Sequence, residues 1–431
     1  MSERAGSPVS GARRAALITA LVLGVALVVV IAVRTPWTVL PEPPGGHTPL
    51  DPTAGLSAAE VDRAESFAAL LRPTSLVSLA LSLAVAAVLG LTRLGGRIVR
   101  AGAAPFGGGW VWQVLLGVLA LTVIGRLVTL PLAAYAEVVR HRYGLSTRGW
   151  GLWLRDVAVS TGINAGLTAV GLLGLVWLAR RAPRIWWAWA ALGAAALVVV
   201  GSFLWPVVIE PAFNRFDSMP AGELQEVAAE LAERNGTPVQ DVLVSDASRR
   251  TTALNAYVSG FGSTRRIVVY DTVLDRLPND QIESIVAHEL GHVAADDVLT
   301  GTLMGALGAA AGVAALGWLL TFGPLRRRAG ADSPGDPRIV PLVLLLMAIG
   351  TLASTPLQNL VSRHIEARAD VHALDLTADP EAFTAMQRRL AGTNLNDPDP
   401  PAAWQWWFGS HPTAAQRVAM AQDWSRLADG R

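Results

Sequence analysis

The chain has 431 residues, of which 52% are hydrophobic and 16% charged, and its mean hydropathy is +0.40; that balance belongs to a polytopic membrane protein and argues against a soluble globular one. A formal net charge of +1 argues against nucleic acid as a partner. With no cysteine, disulfides and thiolate metal sites are excluded, so any metal must be held by His, Asp or Glu.

In chain order, seven apolar runs are each long enough to cross about 30 Å of hydrocarbon as a helix. They cover residues 15–33, 74–92, 111–135, 158–179, 185–206, 299–322 and 339–358. The first follows Arg13 and Arg14 and has no small-residue cleavage pattern behind it, so it reads as a retained anchor rather than a signal peptide. The sixth is rich in glycine and alanine, residues that let membrane helices approach closely. Residues 1–206 thus form an N-terminal membrane region of five spans.

Residues 207–298 are more polar. "MPAGELQEVAAELAERNG" has a helical period and a stop at Gly236. "DVLVSD", "TALNAYVSG" and "TRRIVVYD" read as short strands, the last two forming a hairpin. Asn279 and Asp280 are placed to cap the helix that follows. A membrane hairpin at 299–358 separates this piece from a second polar one, 359–431, and the two are expected to form one domain. Arg4, Arg13, Arg14, Arg93, Arg97, Arg100, Arg180, Arg181, Arg184, Arg326, Arg327, Arg328 and Arg338 fall on one side of seven spans. That side is the cytoplasm by the positive-inside rule, which leaves the polar pieces extracytoplasmic; Arg140, Arg142, Arg148 and Arg155 count against this.

The chemistry centres on "HELGH", residues 288–292. Residues four apart share a helix face, so His288 and His292 can point at one ion while Glu289 reaches a water beside it. A chance match in a chain of this composition is on the order of one in two hundred. A hydrolytic zinc site needs a third protein ligand. In "SRHIEARADVHAL", residues 362–374, Glu366 and Asp370 lie four apart. Glu366 is suited to ligate the metal and Asp370 to accept a hydrogen bond from a ligating imidazole; His364 is the competing third ligand. Arg126, inside the third span, is expected to face a cavity or a partner, and Asn164 to make a helix–helix hydrogen bond. "WWAW" at 186–189 and "WQWW" at 404–407 read as interfacial anchors, and His372 as an outer-face residue.

With those motifs, "YGLSTRGWGLWLRD" (143–156), "IEPAFNRFDSMPAGEL" (209–224), "ASRRTTALNAYVSGFGSTRRIVVYDTVL" (247–274) and "GSHPTAAQRV" (409–418) complete the picture. The chain resembles the type I CAAX prenyl protease family, membrane zinc metallopeptidases of the gluzincin kind, and its biased composition suggests a bacterial member. The likeness runs from about residue 140 to the end. It implies a mostly α fold: a polytopic seven-helix membrane bundle with a zincin-type α+β metallopeptidase domain formed from two chain segments. It implies one Zn2+ per chain on His288, His292 and Glu366, with Glu289 as catalytic base and Asp370 as carboxylate partner of His288. It further implies that His411 stabilises the oxyanion, that Arg417 supports the site, and that Asn255 contacts the substrate backbone. Expected partners are a peptide or protein substrate and the lipid bilayer, in a multi-pass cell-membrane setting. A heat-shock-type quality-control metallopeptidase, with fewer spans, and a non-hydrolytic membrane metal-binding scaffold are the competing functions.

Overall fold

The computed structural model describes residues 8–53, 55–236 and 242–430. In chain order its first six helices are α1 (Pro8–Arg34), α2 (Ala58–Leu91), α3 (Arg93–Ala103), α4 (Trp110–Arg142), α5 (Trp150–Arg181) and α6 (Trp186–Leu204). The short strand β1 (Phe216–Ser218) opens the extramembrane unit, followed by α7 (Glu223–Arg234), β2 (Val242–Ser245), β3 (Ala256–Ser259) and β4 (Arg266–Tyr270). Then come α8 (Asp271–Arg276), α9 (Asn279–Ala294), α10 (Asp297–Leu319), α11 (Gly323–Ala329) and α12 (Val340–Thr377). The chain closes with α13 (Pro380–Thr393), α14 (Ala402–Phe408) and α15 (Ala414–Asp429).

Seven helices among the described residues are long and apolar enough to cross a membrane, and they coincide with the seven predicted spans. Leu21, Val25, Val77, Leu127 and Leu192 are all more than half exposed, which costs nothing where the surrounding medium is hydrocarbon. Small residues allow close contacts inside the bundle. A Cβ on Gly317 would stand 2.4 Å from Trp187 Cβ, so α10 and α6 meet at van der Waals distance only because that side chain is missing. Trp186 and Trp187 are therefore core residues, and the anchor expected of "WWAW" falls to the exposed Trp189.

Two helices extend well past their apolar runs. α2 starts at Ala58 because Ser57 and Glu60 form a capping box: Glu60 N donates to Ser57 Oγ, and Ser57 N donates to Glu60 Oε2 at 2.9 Å. α12 continues unbroken through Arg363–Thr377, a stretch without glycine or proline, so the last membrane span itself delivers Glu366 and Asp370. The expected side-chain cap on α9 is absent. Pro278 occupies the N-cap position, and Asn279 Nδ2 instead donates to Glu223 Oε2 at 3.1 Å.

The sheet has the order β1-β2-β4-β3. β3 and β4 form the predicted hairpin, paired antiparallel with Ala256 opposite Val269, while β2 and β4 run parallel. β1, too short to show a period-2 pattern, is antiparallel to β2 and was not foreseen. One apolar core spans both polar pieces, joining Leu231, Ile267, Ile282 and Leu290 to Leu374, Phe383 and Met386. The loops after α1 and α4 reach this unit: Thr48 bonds to Asp423, and Ser146 bridges to Thr251. The C-terminal end of α5 meets the loop before α12, where Arg180 Nη1 donates to Gly335 O at 3.4 Å.

Candidate metal centre

The 3.6-residue period of α9 puts His288 and His292 on one face, and their Nε2 atoms lie 3.2 Å apart. Glu366 of α12 closes the group: Oε2 is 3.3 Å from His288 Nε2 and Oε1 is 3.7 Å from His292 Nε2. These three residues are the His/Asp/Glu cluster among the described residues that could hold a metal ion. Zn–N and Zn–O bonds are about 2.0–2.2 Å, so ligand atoms around a tetrahedral ion stand roughly 3.4 Å apart. The donor set therefore matches zinc in both chemistry and spacing. Gly291, between the two histidines, makes the approach of Glu366 possible. A Cβ there would sit 3.1 Å from His372 Cβ and 3.2 Å from Ala369 Cα, so α12 would have to retreat by a few tenths of an ångström.

Each imidazole has a carboxylate behind it. His288 Nδ1 lies 2.9 Å from Asp370 Oδ1, though off the axis of a regular hydrogen bond. The fully buried Asp370 also receives Arg417, whose Nε donates to Oδ2 at 2.8 Å and whose Nη2 pairs with Oδ1. His292 Nδ1 is 2.9 Å from Asp297 Oδ2, and Arg368 pairs with the other oxygen of Asp297. Asp297 and Arg368 escaped the sequence reading. The available signal was an aspartate five residues beyond the second histidine, at a sharp turn where Asp296 adopts a φ of 52°. These partners orient the rings and raise their basicity.

The remaining predicted residues gather around the same point. His411 Nε2 is 3.4 Å from Glu366 Oε2, and its Nδ1 is 2.9 Å from Ser410 Oγ. Glu289 is buried, and that burial raises its carboxyl above the ordinary range against the opposing charges of His292 and His288. Asn255 immediately precedes β3, which among the described residues is an edge strand with one side unpaired. His364 is not part of the cluster: it packs edge-on to Trp37, ring centroids 5.0 Å apart. His372 bonds to Asn235 at 2.8 Å.

Asn255, Glu289, Glu366 and His411 all line a cavity of about 1350 Å³. It continues between α1, α5, α6, α10 and α12 past Leu27, Leu197 and Met347. The site thus opens into the membrane bundle rather than onto a flat outer surface.

The profile of Peptidase family M48 matches residues 218–425, and that described as CAAX prenyl protease N-terminal, five membrane helices, matches residues 57–215. Over 307 residues the chain is 34% identical to "Uncharacterized metalloprotease YhfN" of Bacillus subtilis, covering 71% of this chain and 72% of that one. The chain belongs to peptidase family M48. This M48 protein is a multi-pass membrane zinc metalloprotease, and its substrates are peptides or proteins. It is also 27% identical to "CAAX prenyl protease 1 homolog" of Arabidopsis thaliana, covering 68% of this chain and 69% of that one. The corresponding identity with "CAAX prenyl protease 1" of Saccharomyces cerevisiae is 26%, covering 69% of each. Its fold matches the crystal structure of S. mikatae Ste24p with a TM-score of 0.77, covering 94% of this chain and 98% of that one at 21% identity. Neither the heat-shock-type nor the non-hydrolytic reading is favoured by these matches.

Proposed function

We propose that the M48 chain holds one zinc ion on His288, His292 and Glu366 and hydrolyses peptide bonds with Glu289 as general base. The observation that carries this reading is the meeting of two imidazole nitrogens and one carboxylate at separations of 3.2, 3.3 and 3.7 Å. When bound there, zinc supplies Lewis acidity toward water and the scissile carbonyl. Glu289 takes the proton from the attacking water and returns it to the leaving amine. Asp370, clamped by Arg417, and Asp297, clamped by Arg368, fix the tautomers of His288 and His292 so that both Nε2 atoms stay free to ligate. His411 donates a hydrogen bond to the oxyanion. The open edge of β3 accepts an extended substrate as an added strand, with Asn255 binding its backbone. Recognition through main-chain atoms leaves the side chains of the substrate largely unconstrained. The relatives named CAAX prenyl proteases suggest a related, membrane-associated substrate, and the cavity reaching into the bundle suits one.

In this reading residues 207–298 and 359–431 form a single peptidase domain, 1–206 the first membrane region and 299–358 the hairpin threaded between its halves. The arginine-rich loops after α2, α5 and α10 belong to the cytoplasm, which leaves the peptidase domain extracytoplasmic. A tag at the C-terminus becomes accessible from outside intact cells if so, and only after permeabilisation if not.

Glu289→Gln tests the chemistry. It should retain zinc at the wild-type stoichiometry while cleavage falls by about 100-fold to 10,000-fold. Normal turnover by that variant removes Glu289 from the role of base.

A further inference from the structure

We propose that a second cavity, lined by α2, α4, α5 and α12, binds an anionic amphiphile whose carboxylate or phosphate is held by Arg126. The cavity measures about 430 Å³ and shares no lining residue with the one at the metal centre. Arg126 stands at the middle of α4, equally far from Trp110 and Arg142, at a depth where a bare charge is costly. Among the described residues its guanidinium makes no hydrogen bond or ion pair, and its Nε is buried without a partner. Among the described residues no aspartate or glutamate lines the cavity, so the compensating charge is assigned to a bound anion.

The lining has two chemically distinct ends. Around Arg126 stand Thr122, Thr129, Ser160, Thr161 and Asn164. Thr129 donates to Gly125 O at 3.1 Å, and Ser160 and Thr161 donate to Val157 O at 3.1 and 2.6 Å. The protons of these three are therefore committed to the helices, and Arg126, the Asn164 amide and the Thr122 hydroxyl remain as donors for an anion. Asn164 makes no helix–helix hydrogen bond among the described residues, contrary to expectation; it faces this cavity instead. The other end is apolar, formed by Val85, Leu89, Leu121, Pro341 and Leu344. Ser82 and Leu89, both lining the cavity from α2, are about 10 Å apart along the helix axis. A charged head at Arg126 thus leaves room for the first segment of an acyl chain, which neither a free ion nor a neutral lipid would use fully.

The test follows the unfolding midpoint of the full-length holoprotein in a neutral maltoside detergent. The probes are oleate, oleoyl-lysophosphatidate, monooleoylglycerol, and acetate or inorganic phosphate. Either anionic lipid should raise the midpoint by about 2–5 °C, and the more effective of the two identifies the head group. The rise should vanish in Arg126→Gln and persist in part in Arg126→Lys, which keeps the charge but loses the forked donor set. Asn164→Leu, away from the charge, should weaken the response several-fold and covers the case in which Arg126→Gln fails to assemble. The proposal is overturned if neither anionic lipid shifts the wild type. It is equally overturned if monooleoylglycerol or the free anions reproduce the shift, or if Arg126→Gln responds like the wild type.

Discussion

α9 and α10 are separated by a two-residue turn and answer to different solvents. Eleven of the 16 residues of α9 are buried, among them Gln281, Ser284, His288 and Glu289. Only six of the 23 residues of α10 are buried, although it is the more apolar helix. In water, that much uncovered apolar surface would drive association or aggregation; here part of it, as at Leu303, faces hydrocarbon, and part, as at Met304 and Val313, lines the cavity at the metal centre. α9 shows the converse. Polar groups go to the centre of the extramembrane unit because α12, α15 and the start of α10 bring a charged partner to each imidazole.

This contrast can be broken most severely at the partners. Arg417→Ala leaves the fully buried Asp370 without its guanidinium, and removing one member of such a pair typically costs about 3–5 kcal/mol. A lower unfolding midpoint together with lost zinc retention would bear out the clamp; wild-type values for both would refute it. The two helices can also be compared by one deletion made in each. Leu290→Ala in α9, where the side chain is fully buried, should cost about 2–5 kcal/mol. Leu303→Ala in α10, 53% exposed, should stay within about 0.5 kcal/mol. Equal losses, read by denaturant or thermal unfolding, would mean that α10 is covered by protein on that face.

The junction sharpens the comparison. Asp297 belongs to α10 yet holds His292 of α9, so Asp297→Asn should weaken zinc affinity about 10-fold to 100-fold with little effect on the midpoint. Metal titration against a chelator of known strength separates the two quantities. The smallest effect concerns the loop after α1. Burial alone would raise the Asp423 carboxyl, but hydrogen bonds from Thr48 and His47 more than offset it and hold it at about 2. A depressed carboxylate contributes its stability above the ordinary value near 3.8 and loses it as the pH falls toward 2. Wild type should therefore unfold at higher temperature than Asp423→Ala at pH 5 to 7, the gap closing below pH 4. A gap independent of pH would mean that packing, not charge, ties the loop to α15.

Much of this was legible in the chain itself. Seven spans follow from hydropathy because hydrocarbon admits few polar residues, and the helix bearing His288, Glu289 and His292 follows from a spacing local to one turn of backbone. The β3–β4 hairpin was likewise a short-range signal. The partners are another matter. That Glu366 rather than His364 closes the metal group depends on the rotation of α12 about its own axis and on the gap left at Gly291, neither of which the spacing of the residues states. Asp297 carried no signal of its own in the sequence beyond its place after His292, and the cavity expected beside Arg126 took its shape only from the packing of four helices. Local periodicity is written into consecutive residues, whereas the pairing of buried charges is decided by contacts between residues tens of positions apart, and these exist only once the helices have packed.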